Sequence, residues 1–287
     1  MAASLVNSTN RWFRHNARPL PWREDTASAW HVLMSEFMLQ QTPVARVLPV
    51  YERWVKRFPV PSALASVPVS EAVREWGRLG YPRRAQRLHA LSVILDRDFE
   101  DEVPDDEQVL RGLPGIGEYT AAAIVAFAYG KRSVVVDTNV RRVIARAVAG
   151  RQWPEQNLSR AEYELAASLV PASALAAATW AAASMELGAT ICTAAKPQCE
   201  VCPVSSECEW LKLGQPQSPR PQRTQAWHGT DRQCRGVILQ ALRESTRPVP
   251  NAELRALWPE EEQFKRCLLA LRSENFVVRT KTGWILK

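Results

Sequence analysis

Between residues 1 and about 210, apolar positions recur at helical spacing, and long alternating runs typical of half-buried strands are missing. The periodicity predicts helices over Trp30–Leu39, Ala63–Leu79, Ala85–Phe99, Tyr119–Tyr129, Val140–Ala149, Ala161–Leu169 and Ser173–Leu187. Short connections carrying Pro or Gly separate them. Val134-Val135-Val136 is strand-like but only three residues long. The expected fold class is all-α, and no repeat period suggests a solenoid.

The pattern changes after Cys208. Residues 214–230 are rich in Pro, Gln, Ser and Arg, have few core-forming side chains, and read as a linker. A compact pattern then resumes. Asp231 is a candidate N-cap for a helix carrying Cys234, Val237, Ile238, Ala241 and Leu242. Asn251 is a candidate cap for a second helix with Leu254, Leu257 and Trp258, and Phe264, Leu268 and Leu271 mark a third. Phe276–Thr280 and Trp284–Leu286 flank Lys281-Thr282-Gly283, a hairpin signal. Residues 231–287 are therefore expected to form a small winged-helix-like domain. A packing appendage that never touches DNA is an equally good reading of the same pattern.

Charge narrows the partner. The 287 residues carry a net charge of +7, which favours a polyanion such as nucleic acid or an anionic membrane surface. No run approaches the ~20 apolar residues that span a bilayer, and MAASLVNSTNRWFRHN lacks the apolar stretch of a signal peptide. The expectation is a cytoplasmic protein, nucleoid-associated if bacterial, monomeric, and without a membrane partner.

Three groups of residues carry candidate chemistry. Four of the six cysteines follow the spacing Cys192-x6-Cys199-x2-Cys202-x5-Cys208. A tight cluster in an intracellular chain points to a metal centre, and thiolates suit either zinc or an iron–sulfur cluster. Gly115 and Gly117, in LPGIGEYTAAAI at 113–124, tolerate positive φ and precede a helix start. Consecutive N–H groups there suit a DNA phosphate, although an ordinary interhelical turn has the same local pattern. The third group is a pair of carboxylates. Glu36 lies among Leu33, Met34, Phe37, Met38 and Leu39, so burial should raise its pKa and let it hold a proton near neutrality. Asp137 follows Val134–Val136 and precedes a helical pattern, the position of an N-cap. A protonated carboxyl group beside an ionised one is the arrangement that cleaves glycosidic bonds.

Beyond the local chemistry, five strings together with the cysteine spacing resemble the MutY family within the helix-hairpin-helix endonuclease III superfamily. They are LPWR at 20–23, SEFMLQQT at 35–42, LPGIGEYTAAAI at 113–124, VDTNVRRV at 136–143 and MELGATIC at 185–192. The resemblance covers residues 20–208. It implies a helix-hairpin-helix DNA glycosylase fold with an iron–sulfur cluster domain. Residues 22–130 would form a six-helix barrel, and 1–21 with 131–213 the cluster domain. It implies a [4Fe–4S] cluster on Cys192, Cys199, Cys202 and Cys208 that braces a loop near DNA, with Lys196 contacting phosphate. The implied substrate is double-stranded DNA containing adenine mispaired with 8-oxoguanine or guanine, with the adenine flipped from the stack.

The resemblance also implies roles for single residues. Glu36 would protonate adenine at N7. Asp137 would stabilise the sugar cation or form a transient covalent adduct, and Asn139 would position sugar and water. Trp22, Arg23 and Glu186 would surround the flipped adenine. Gln41 and Thr42 would lie near the opposing base, and Gly115 and Gly117 would hold phosphate. Tyr119 stands where bifunctional relatives carry a Schiff-base lysine, which implies a monofunctional enzyme.

Three departures accompany the resemblance. Gly80-Tyr81-Pro82-Arg83-Arg84-Ala85 replaces the usual GYYxRA, with Pro82 at the position of an inserting tyrosine beside Tyr81. The aspartate motif reads DTN rather than DGN. A short C-terminal region stands where the family usually has a larger NUDIX-like domain. Two other readings are a thymine or uracil mismatch glycosylase of the same superfamily and a non-catalytic iron–sulfur DNA-binding protein.

Overall fold

The structure, a computed structural model, describes residues 2–219 and 227–287; residues 220–226 of the expected linker lie outside the described residues. In chain order the helices are α1 (Ala2–Asn16), α2 (Ala29–Leu39), α3 (Val44–Arg57), α4 (Pro61–Ala65), α5 (Val69–Trp76), α6 (Arg83–Phe99), α7 (Glu107–Arg111) and α8 (Glu118–Tyr129). They continue with α9 (Thr138–Ala147), α10 (Arg160–Ser168), α11 (Ala174–Thr190), α12 (Glu209–Lys212), α13 (Asp231–Glu244), α14 (Asn251–Ala256) and α15 (Glu261–Ser273). Two strands close the chain, β1 (Val277–Arg279) and β2 (Trp284–Leu286). The architecture is thus all-α with one terminal hairpin. Among the described residues no helix is long and apolar enough to cross a membrane.

By its contacts the chain forms two compact units, Met1–Glu36 with Pro104–Gln222, and Phe37–Val103 with Arg223–Lys287. In the first unit α11 packs against α1, α8 and α9. The sequence of α11, ALAAATWAAASMELGAT, is rich in small side chains, which lets neighbouring backbones approach. Leu5, Val6, Val140, Val143, Ile144, Trp180, Leu187 and Trp210 belong to one buried cluster; Ala122, Ala123, Ala126, Val135 and Ala181 form another, with Tyr119 against it.

In the second unit α6 packs on α4 and α5. Trp54 meets Phe58 and Trp76 edge-on at 5.1 and 5.5 Å between ring centroids. The C-terminal elements belong to this unit. Strands β1 and β2 pair antiparallel with Val278 opposite Ile285, and Val249 bridges to Trp284. Gly283 permits that bridge, because a Cβ there would lie 2.4 Å from the Val249 carbonyl oxygen. The C-terminal region thus consists of three helices followed by a hairpin that Val249 joins through its bridge to Trp284. Arg74 donates to the carbonyl of Arg243, and Arg243 Nε donates to that of Val73 at 3.1 Å, which ties α13 to α5.

Several sequence expectations change in detail. The pattern did not single out α1 or α3. The expected helix Ala63–Leu79 is broken into α4 and α5. Pro68 disfavours helical backbone at Val67 and becomes the N-cap of α5. Val134–Val136 is not a strand. The N-cap of α13 is Thr230, whose hydroxyl accepts from the Gln233 N–H, while Asp231 is the first helical residue and pairs with Arg266 at 2.8 Å. Pro250 caps α14 in place of Asn251, whose side chain accepts from Trp284 Nε1 at 3.2 Å. The start of the linker packs locally: the Pro216 carbonyl accepts from Trp210 Nε1 at 3.0 Å, and Ser218 N–H donates to Gln152 Oε1 at 2.7 Å.

Candidate active site

Helix α2 reads AWHVLMSEFML and is apolar on nearly every face. Leu33, Met34, Phe37 and Met38 are fully or almost fully buried, and Glu36 is only 5 % exposed. Burial pushes the Glu36 carboxyl up to about 7 from an ordinary value of 4.5. The Tyr119 hydroxyl, which donates to Glu36, pulls the other way; the negative charge of Asp137 adds to the rise, and Arg23 opposes it. The same surroundings push the Tyr119 phenol well above its usual value, burial first. Residues far apart in sequence thus share one electrostatic environment inside the first unit.

Asp137 is the N-cap of α9. Its Oδ1 accepts from the N–H groups of Asn139 and Val140 at 2.8 and 2.7 Å, and its Oδ2 accepts from Asn139 Nδ2 at 2.7 Å. Capping and site geometry therefore coexist in one side chain, and Asn139 engages the second oxygen. Burial raises the Asp137 pKa, and these N–H donors hold it back. Asn139 is fixed in turn by Arg142, which donates to Asn139 Oδ1 at 2.8 Å, to the Gly188 carbonyl at 2.6 Å and to the Cys192 carbonyl at 2.7 Å. Gly188 on α11 is a contact glycine. A Cβ there would fall 2.7 Å from Asn139 Cβ and 2.8 Å from its carbonyl oxygen, so any larger residue displaces the first turn of α9.

Glu186 lies two residues before Gly188 and is fully buried at 0 % exposure. Arg18 binds it in bidentate fashion at 2.7 and 2.8 Å, and Arg23 adds a contact at 2.9 Å. Burial alone would raise the Glu186 pKa, but these arginines hold it down at about 2. Glu186 is thus a fixed anion that positions Arg23, while Arg23 also stacks over Phe13 at 5.2 Å. Trp22, in the 3-10 turn Pro21–Arg23, is buried. Neither Arg18 nor Arg142 stands out in the sequence from any other basic residue. Their partners are distant carboxylates and carbonyls, which no local pattern announces.

Gly115 adopts φ +83°, the left-handed backbone its type allows. Gly117 differs from expectation: its φ is −97° and its ψ 179°, ordinary extended backbone, and it N-caps α8 without a side-chain cap. A Cβ at Gly117 would meet nothing within 4 Å, so the N-terminus of α8 is open. Lys196 is exposed on the loop between Cys192 and Cys199, with its carbonyl accepting from Thr193 Oγ1 at 2.7 Å.

Gln41, Thr42, Tyr81 and Pro82 belong to the second unit, where Arg84 organises them. Its guanidinium, almost fully buried, donates to the carbonyls of Phe37, Met38 and Gln40 at 2.9, 2.8 and 2.6 Å. It also donates to Thr42 Oγ1 at 2.9 Å and the Gly80 carbonyl at 3.0 Å. Burial lowers the Arg84 pKa to about 10. Gln41 and Tyr81 both have positive φ, +55° and +47°, conformations costly for residues other than glycine. Thr42 is buried, whereas Gln41 and Tyr81 are exposed. Pro82 N-caps α6.

The four clustered cysteines are free and line one pocket together with Val143, Arg146 and Trp210. Among the described residues no three ligands are gathered for a single metal ion. Arg146, buried under Trp153 and Trp210, donates to Cys192 Sγ at 3.4 Å, and Gln215 Nε2 donates to Cys199 Sγ at 3.6 Å. Burial pushes the Cys202 thiol up to about 11, so thiolates at this position require a compensating positive centre. All-sulfur donors around a shared pocket, with N–H groups aimed at sulfur, fit a multi-iron cluster.

Three comparisons bear on this geometry. Residues 34–167 match the model of the HhH-GPD superfamily base excision DNA repair proteins. The chain is 46% identical over 95% of its length to the adenine DNA glycosylase of Mycolicibacterium smegmatis, covering 92% of that protein. It is 46% identical over 97% of its length to the adenine DNA glycosylase of Mycobacterium tuberculosis strain H37Rv, again covering 92% of it. Alignments of that length extend into the C-terminal region. Among solved structures, a thermostable thymine-DNA glycosylase is similar with a TM-score of 0.66 at 29% identity, over 74% of this chain and 97% of that one. The chain belongs to the adenine DNA glycosylase family of the HhH-GPD superfamily of base excision DNA repair proteins.

Proposed function

We propose that this protein is a monofunctional adenine DNA glycosylase that removes adenine paired with 8-oxoguanine or guanine. The observation that carries the reading is Glu36, a buried carboxyl group with a pKa of about 7 that senses the charge of Asp137. N-glycosidic cleavage needs a proton on the leaving base and a negative charge beside the sugar as it becomes cationic. Glu36 donates its proton to adenine at N7. Electrons of the C1′–N9 bond leave with the base, and the Asp137 carboxylate faces the resulting cation. Asn139 holds that carboxylate, and water adds at C1′, passing its proton to the Glu36 carboxylate left by the first transfer. Tyr119 keeps Glu36 oriented, and a phenol cannot form the Schiff base that strand cleavage requires. The open N-terminus of α8, after Gly115 and Gly117, and Lys196 hold phosphates. Gln41, Thr42, Tyr81 and Pro82 serve the opposing base, while Trp22 and Arg23 line the adenine side and the buried Glu186 holds Arg23 in place. The protein acts as a monomer in the cytoplasm.

Cys192, Cys199, Cys202 and Cys208 hold a [4Fe–4S] cluster. Such a cluster braces the loop carrying Lys196 and takes no part in proton transfer. Purified protein is expected to be brown, with visible absorption and about four irons per chain. A colourless, zinc-loaded protein would overturn the cluster assignment.

The function is tested with duplexes carrying A·8-oxoG, A·G, T·G or U·G, incubated with protein and then treated with alkali. Breaks are expected at adenine, and only after alkali. Breaks confined to T·G or U·G would support the thymine or uracil reading, which the likeness to the thymine-DNA glycosylase keeps in view. Strand scission before alkali would contradict the role given to Tyr119.

A further inference from the structure

The loop between α5 and α6 presents Tyr81 to solvent at 40 % exposure in a backbone conformation that a non-glycine residue rarely adopts. The structure around it holds that conformation in place. The Gly80 carbonyl accepts from Trp76 Nε1 and Arg84, and the Arg84 N–H donates to the Tyr81 carbonyl at 2.9 Å. A strained, outward-facing tyrosine so firmly supported is a feature to be explained.

The C-terminal region supplies its neighbours. The guanidinium carbon of Arg232, near the start of α13, lies 4.6 Å from the Tyr81 ring centroid and 5.3 Å from that of Trp227. Trp227 is 48 % exposed and Arg232 is exposed as well. Among the described residues Arg232 has no carboxylate in ion-pair reach. Positive charge continues around the loop. Arg78 is 79 % exposed, Arg83 is 58 % exposed, and Arg46 donates to the Arg78 carbonyl. Glu244 and Glu274 offset part of this charge through contacts with Arg78 and Arg83.

Arg84 also lies 5.6 Å from the Tyr81 centroid, so that ring is held by two guanidinium groups. An unpaired guanidinium fixed against two exposed aromatic side chains and rimmed by arginines matches the chemistry that grips nucleic acid: cations for phosphates, with aromatic surface beside them for sugars and bases. We propose that Tyr81, Arg232 and Trp227 form a duplex-DNA contact surface through which the C-terminal region reads the strand held at the α5–α6 loop. The choice of partner rests on the repair function proposed above. The C-terminal region then does more than pack on α5 and α6: it contributes binding residues.

The test uses the full chain in a Glu36→Gln background, so that base release does not enter the binding measurement. Affinity for an A·8-oxoG duplex is read by fluorescence anisotropy over a series of salt concentrations. Arg232→Ala is expected to weaken binding about tenfold and to lower the slope of log Kd against log salt by about 1. Trp227→Ala is expected to weaken binding several-fold with the slope unchanged, because it removes stacking and no charge. Arg232→Lys is expected to keep the slope but not the full affinity. Melting temperatures of all three variants should match that of the parent. Arg232→Ala with unaltered affinity and slope would overturn the proposal, as would weakened binding accompanied by a lowered melting temperature and an unaltered slope. The repair reading fails separately: its failure would be an absence of adenine release by the otherwise unaltered chain, with these binding changes still present.

Discussion

Glu36→Gln is expected to slow adenine release by about a thousandfold and, at the same time, to stabilise the protein at pH 8. The rate loss follows from removing the proton that the leaving base needs, for which general acids contribute about 10²–10⁴-fold. The stability gain follows from the same burial. The folded-state pKa of Glu36 is raised to about 7 from 4.5. Folding therefore favours the protonated form. That stabilisation is complete below about pH 4.5, is lost as pH rises toward 7, and stays lost above it, a difference of about 3 kcal/mol. A neutral glutamine escapes the penalty, so the variant should melt several degrees higher at pH 8 and close to the parent at pH 4. In the parent chain the single-turnover rate should fall about tenfold per pH unit above 7, as the acid form of Glu36 is depleted. A variant that releases adenine at the parental rate, or that melts lower at pH 8, would refute the assignment of Glu36 as the buried acid.

Arg84→Ala is expected to destabilise the protein by about 3–5 kcal/mol, measured by urea unfolding. The guanidinium serves carbonyls at the C-terminal end of α2 and in the α5–α6 loop, together with the Thr42 hydroxyl. Removing it strands several buried acceptors, each costing about 1–3 kcal/mol before relaxation and water entry. It also removes the support for the positive φ of Tyr81. Arg84→Lys should recover little, since one ammonium cannot reach acceptors on both segments. A loss under about 1 kcal/mol would mean that the two segments hold their conformations without the arginine.

Much of this architecture is legible in the linear chain, for reasons that are local. The apolar run around Glu36 already implies a desolvated carboxyl group. Asp137 sits where an apolar stretch meets a helical period, which is where a cap belongs, and it caps α9. Cysteine spacing brings four thiols to one pocket because short loops cannot carry them far apart. The hairpin of β1 and β2 is written in its alternation and turn.

Other features depend on distance. Periodicity merges α4 and α5 because both bury the same kind of face, and only Pro68 separates them. The arginines that organise the molecule look like any surface cations in sequence. Arg18 is committed to Glu186, Arg84 to the carbonyls around it, Arg142 to Asn139 and α11, and Arg146 to the cysteine pocket. Gly188 and Gly283 are needed for what approaches them, not for their own backbone angles.

The sequence alone determined the helical class, the capping aspartate, the desolvated glutamate and the cysteine cluster, since each follows from neighbours within a few positions. Only the tertiary structure decided which charges meet, which loops Arg84 binds together, and that Arg232 of the C-terminal region stacks on Tyr81. Those outcomes depend on hydrogen bonds and ring contacts between segments far apart in the chain, and no local pattern encodes such pairings.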